Sequence, residues 1–123
     1  MVDFGFKKKQ RKIMNKKIAL LGENGFEEIE MIIPFDILRR LGYNLVIAGA
    51  KNEVEGSHGL KIKADSLISE LDADLFDCII LPGGMPGSVN LMKNEMVIEL
   101  IRKVHSRNAI MAAICAAPIA LAA

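Results

Sequence analysis

Apolar residues in this chain fall into short unbroken runs, and these alternate with stretches whose apolar positions recur every three to four residues. The runs at 17–22 (Lys-Ile-Ala-Leu-Leu-Gly), 43–50, 77–81 (Asp-Cys-Ile-Ile-Leu) and 109–114 are continuous rather than alternating. They predict four strands of the kind buried on both faces of a parallel sheet. Residues 26–41, closed by Gly42, and residues 95–106 predict amphipathic helices. Residues 54–63 predict a small hairpin around Gly56-Ser57-His58-Gly59, and 65–75 a polar connection. Strands alternating with helices imply an α/β fold: a parallel sheet with right-handed crossovers and helices on both faces. In such sheets a site lies beyond the C-terminal ends of the strands.

Three features are placed at that edge. The first is Cys115, which follows the 109–114 run directly and precedes Ala116-Ala117-Pro118 and an alanine-rich stretch. This reads as a buried strand turning into a helix, with proline in the helix's first turn. Small residues two before and two after the cysteine, Ala113 and Ala117, leave room for a tight turn of the nucleophile-elbow type. A helix N-terminus favours thiolate over thiol. The competing reading is a small buried filler, since free cysteine is among the most buried residue types.

The second is Glu30. At about 100° per residue, it falls among Ile33, Pro34, Ile37, Leu38 and Leu41, opposite Glu28, Asp36, Arg39 and Arg40. An acid on an apolar face should be protonated or hydrogen-bonded in a site; a salt-bridged or snorkelling glutamate is the alternative. Pro34 lacks the N–H that would bond the Glu30 carbonyl and is expected to kink the helix. The third is the turn Pro82-Gly83-Gly84, whose glycines would let backbone amides approach an anion. Such a sequence is more often a plain turn, and it lacks the Lys-Ser/Thr of a phosphate loop.

Composition narrows the function classes. The 123 residues are 51% hydrophobic and 25% charged, with net charge +1. That fits one ordinary globular domain and gives no global reason to expect nucleic acid or a membrane as partner. Two cysteines without framework spacing suit a reducing, cytoplasmic setting. No apolar run approaches the ~18 residues of a membrane span. Residues 1–16, with the run Lys7-Lys8-Lys9-Gln10-Arg11-Lys12, are expected to be a basic disordered extension, with Met14 as the natural start. Residues 17–123 form the domain. Cys78 and the seven methionines read as core filler. His58 and His105 read as surface residues. No cofactor is expected, and no group of residues has metal-ligand spacing.

Taken together, Gly25-Phe26-Glu27-Glu28-Ile29-Glu30, the 33–42 segment, Leu81-Pro82-Gly83-Gly84 and Ala113-Ile114-Cys115-Ala116-Ala117-Pro118 resemble the ThiJ/PfpI superfamily, in the branch of the Parkinsonism-associated deglycase. The likeness runs from Lys17 to the last residue. It implies a flavodoxin-like, class I glutamine amidotransferase-like sheet and a homodimer. Because family domains continue through further strands and helices, it also implies that the chain is the N-terminal two-thirds of the domain, incomplete at the C-terminus. By the resemblance, Cys115 is the reactive cysteine and Glu30 a protonated partner donating to it, while Gly83, Gly84 and Ala116 form the oxyanion or substrate cradle. The implied activity is glyoxalase- or deglycase-type conversion of a dicarbonyl or glycated substrate. The alternatives are a redox-sensing or chaperone-like homodimer and an inactive fragment. The protease branch carries histidine directly after the cysteine; Ala116 stands there in this chain, which speaks against a Cys-His protease.

Overall fold

The computed structural model describes residues 15–123. The expected basic extension and the start at Met14 lie outside the described residues, Asn15 and Lys16 apart. Along the chain run β1 (Lys17–Gly22), α1 (Glu28–Arg40), β2 (Asn44–Gly49), β3 (Glu53–Glu55), β4 (Lys61–Lys63), β5 (Ser66–Leu67), β6 (Cys78–Leu81), α2 (Gly87–Lys93), α3 (Glu95–Ser106), β7 (Ile110–Ala113) and α4 (Pro118–Leu121). The sheet has the order β5-β2-β1-β6-β7 and every pairing in it is parallel. The chain leaves β1 toward one edge and β6 toward the other. Their loops therefore part at the sheet's C-terminal side, where such folds open a crevice.

Alternate strand residues go to opposite layers, as the pleat requires. Ala19, Leu21, Ile79 and Leu81 pack with Val97, Leu100, Val104, Ala117 and Ala120 on one face. Ile18, Leu20, Ile47 and Ile80 pack with Phe26 and Met31 on the other. Helix α3 buries Val97, Leu100, Ile101 and Val104, and is capped by Asn94, whose side chain accepts from the Met96 amide at 3.0 Å. Gly42, at φ 90°, ends α1 as predicted, with the Tyr43 amide reaching back to the Leu38 carbonyl at 3.1 Å; this is the Schellman bond.

Several expectations change. Among the described residues the 109–114 strand is the outermost of the sheet, and it is not fully buried on its faces: Ile110 is 65% exposed, and the rest of β7 is half-buried. Segment 65–75 is more than a polar connection. It adds the short strand β5 beside β2 and two single 3-10 turns that bury Ile68 and Ala73. Helix α2 had no expectation at all; it is seven residues long and has no side-chain cap. Helix α1 runs on through Pro34 but meets the sheet with Met31, Phe35 and Leu38. Ile33, Ile37 and Leu41 are 51%, 50% and 62% exposed. The helix is apolar on more than one side, and the strip that fits the sheet face wins. Glu30, about 100° around from Met31, lies at the border of the buried strip and is half-buried.

Candidate functional site

The loops after β1, β6 and β7 converge. Gly83, just beyond β6, is held from both sides by the start of α1: its amide donates to Glu30 Oε2 at 2.7 Å, and its carbonyl accepts from the Glu27 amide at 2.9 Å. A β-carbon on Gly83 would find Glu30 Oε2, the Ile114 carbonyl oxygen and Cys115 Cβ all within 3.0 Å. Glycine is therefore required there by close approach. The same observation puts the Glu30 carboxyl and the cysteine Cβ next to the same face of one backbone residue. Gly84 has φ 98°, and its missing β-carbon would press on the Gly25 carbonyl and Phe26 backbone at 2.6 and 2.7 Å.

Cys115 sits at the turn itself. The Ile114 amide extends the β6–β7 ladder to the Leu81 carbonyl at 3.1 Å, and the Ala117 amide turns back on the Ile114 carbonyl at 2.9 Å. Between them Cys115 takes φ 54° and is exposed. A side-chain-bearing residue in the left-handed region stores strain, of the kind that aims a nucleophile out of a sharp strand-to-helix turn. Ala117, two residues on, is fully buried, so the small residue there does make room. The filler reading does not hold for an exposed cysteine. Cys78 behaves as expected of packing: half-buried in the sheet, its thiol is pushed up to about 11 by burial and by the charge of Asp77.

Glu30 thus satisfies the demand that a half-buried acid be hydrogen-bonded, and the donor is Gly83. This corrects one expectation: the Gly83 amide faces Glu30 and is not open to an oxyanion. Among the described residues the amides of Gly84 and Ala116 donate to no protein acceptor.

One contact escaped the sequence. Glu28, in the first turn of α1, receives His58 of the β3–β4 hairpin: the His58 amide donates to Oε1 at 2.6 Å, and Nδ1 lies 2.9 Å from Oε2. Glu27 joins them, and among the described residues these three form the group whose ligand-type atoms lie within 4.8 Å of one another. With Glu28 engaged by the ring and the loop amides, the group is an ion pair by its bonding. His105 is exposed at the end of α3.

A doubly wound parallel sheet carrying an exposed cysteine on a strained turn, with a carboxylate against the same glycine, defines a class of cysteine-bearing α/β proteins. Within it, residues 16–123 match the DJ-1/PfpI family, and the chain belongs to that family. The chain is similar to Deglycase PfpI of Pyrococcus furiosus, at 38% identity over 104 residues, covering 83% of this chain and 61% of that protein. Its fold is close to the crystal structure of Drosophila melanogaster DJ-1beta, with TM-score 0.84 and 36% identity, covering 88% of this chain and 59% of that one. It is also close to oxidised Toxoplasma gondii DJ-1, with TM-score 0.80 and 34% identity, covering 84% and 57%. The chain spans about three fifths of the length of these relatives.

Proposed function

We propose that Cys115 is the nucleophile of a site acting on reactive dicarbonyls, in the manner of a glyoxalase or deglycase. The observation that carries the reading is the convergence at Gly83: an exposed cysteine on a strained turn shares one backbone neighbour with a hydrogen-bonded glutamate. That family relatives are named deglycases supports it.

The chemistry runs as follows with methylglyoxal. The Cys115 thiolate adds to the aldehyde carbon, forming a C–S bond and leaving a hemithioacetal oxygen, which the Gly84 and Ala116 amides would hold. Glu30 takes the proton from that carbon and returns it to the neighbouring one, converting the hemithioacetal into a thioester of lactate. Water then cleaves the thioester, releasing lactate and the thiolate. No redox partner is needed, because one carbon is oxidised as its neighbour is reduced. Glu30 Oε2 is held by Gly83, and Oε1 has no hydrogen-bond partner among the described residues, which supports Oε1 as the oxygen that moves the proton.

The test is methylglyoxal consumption with lactate detection, for the chain and for its Cys115→Ser and Glu30→Gln variants. Turnover that vanishes in both, with the fold retained by circular dichroism, is expected. Turnover surviving in either variant would remove that residue's role. A second reading has its own support: Cys115 is exposed beside two open amides, and one similar structure is described as oxidised. In this reading peroxide oxidises Cys115 to a sulfinate that the amides and Glu30 stabilise, and mass spectrometry would show two oxygens added to Cys115 in a chain that consumes no dicarbonyl.

The proposal includes a homodimer and a cytoplasmic setting. Ile29, Ile33, Ile37 and Leu41 lie 50–63% exposed on successive turns of α1 and just beyond it, an apolar strip that a second copy would cover. Two free thiols fit a reducing compartment. Among the described residues no helix is long and apolar enough to cross a membrane.

A further inference from the structure

The β3–β4 hairpin is stitched to the loop that leads from β1 into α1. The Gly25 amide donates to the Glu55 carbonyl at 2.8 Å, and the Ser57 amide to the Phe26 carbonyl at 2.8 Å. The Glu55 amide donates to Asn24 Oδ1 at 3.0 Å. The stitching ends at Glu28, whose side chain is only 14% exposed. It accepts from the His58 amide and meets the His58 ring, with Ser57 Oγ at 3.4 Å and the Leu60 amide at 3.5 Å. Next to it, Glu27 presents Oε2 at 3.7 Å from His58 Nδ1, while its amide holds the Gly83 carbonyl. Two residues on, Glu30 holds the Gly83 amide. The hairpin, the first turn of α1, the glycine turn and the Glu30 carboxyl are thus joined by hydrogen bonds linked through the backbone of residues 26–30.

We propose that His58 is a positioning residue for the cysteine site: its ion pair with Glu28 clamps the hairpin onto the first turn of α1, and so sets how the Glu30 carboxyl seats on the Gly83 amide. The inference rests on the reading of Glu30 and Cys115 as a working pair, and extends it to a residue that touches neither.

The charged groups facing the imidazole are Glu28 and Glu27, both on the α1 side; from the hairpin side Ser57 Oγ lies 3.1 Å from Nδ1. The bond to Glu28 and the charges of Glu27 and Glu28 raise His58 above its ordinary 6.5. Burial opposes the charge on Glu28, but the bonds from His58 and the loop amides prevail and bring it down to about 2. The Glu28 contribution is complete above its ordinary 4.5 and fades as the pH falls through about 2. The His58 contribution is complete below 6.5 and fades as the pH rises through its raised value. The clamp is therefore fully charged in mildly acidic solution and relaxes as the pH rises through the His58 midpoint.

The experiment is an NMR titration of the full chain, following the His58 ring protons and the Gly83 amide proton, whose shift reports its bond to Glu30. The Gly83 shift is expected to step at the His58 midpoint, and the step to be lost in His58→Gln and in Glu28→Gln. Alongside, iodoacetamide modification of Cys115 at pH 6 is expected to change by about two- to fivefold in either variant, the range of an exposed ion pair, and to converge with the parent rate above the His58 midpoint. A Gly83 shift that passes the His58 midpoint without a step, or a step that survives in His58→Gln, overturns the proposal; the parent titration alone decides should a variant fail to fold. A clear step in a chain that consumes no methylglyoxal would remove the dicarbonyl reading and leave the clamp standing.

Discussion

Cys115 is held at φ 54°, a conformation that costs an L-residue about 1–2 kcal/mol and that glycine adopts freely. The strain is the cost of pointing the thiol outward, and it is measurable. Cys115→Gly is expected to be about 1 kcal/mol more stable than the parent after allowing for the looser unfolded chain, read as a higher urea midpoint at unchanged slope. A midpoint that stays or falls would show that no strain is stored at the turn. Glu30 stood out in the sequence because a carboxyl among apolar residues demands a partner, and the structure supplies one in the Gly83 amide. That partner is a backbone group 53 residues away, which no pattern of side chains could reveal. The Glu28–His58 pair was hidden for a related reason: both residues look like ordinary surface polars, and 30 residues separate them.

At the level of elements, what the sequence predicted well is what has a strong period or a strong stop signal. The α3 bounds came out as Glu95–Ser106, with an asparagine before the helix and apolar residues at the spacing of one face. The hairpin followed from its glycine-flanked turn. Strand β5 has two residues and α2 seven, and neither is long enough to show a period. Helix α1 was placed correctly but turned incorrectly, because Ile33 and Ile37 are as apolar as Phe35 and Leu38 and only the shape of the sheet chooses between them. The unchosen strip has consequences for assembly. Ile33→Lys combined with Ile37→Lys is expected to leave the melting temperature within a few degrees, since both side chains are half exposed, while converting the proposed dimer to a monomer in light scattering coupled to size exclusion. An unchanged mass would move the dimer contact elsewhere or abolish it.

For the molecule as a whole, the alternation of runs and periodic stretches was enough to give the fold class, with helices on both faces. It was not enough to give the lateral place of each strand. A continuous apolar run reads as buried on both faces, and β7 is such a run, yet among the described residues it is paired on one side only, by β6, with Ile110 65% exposed. Its outer N–H and C=O groups have no strand beside them among the described residues. In a concentrated preparation of the 123-residue chain alone, a margin left open in this way is a template onto which a strand of another copy can be laid. Turbidity on standing should then grow with protein concentration at temperatures well below melting, and Ile110→Lys, which puts a charge on the margin without disturbing the inner ladder, should keep the solution clear for longer. Equal clouding of the two would exonerate β7. The practical working range of the 123-residue chain would in that case be set by something other than the side of its sheet.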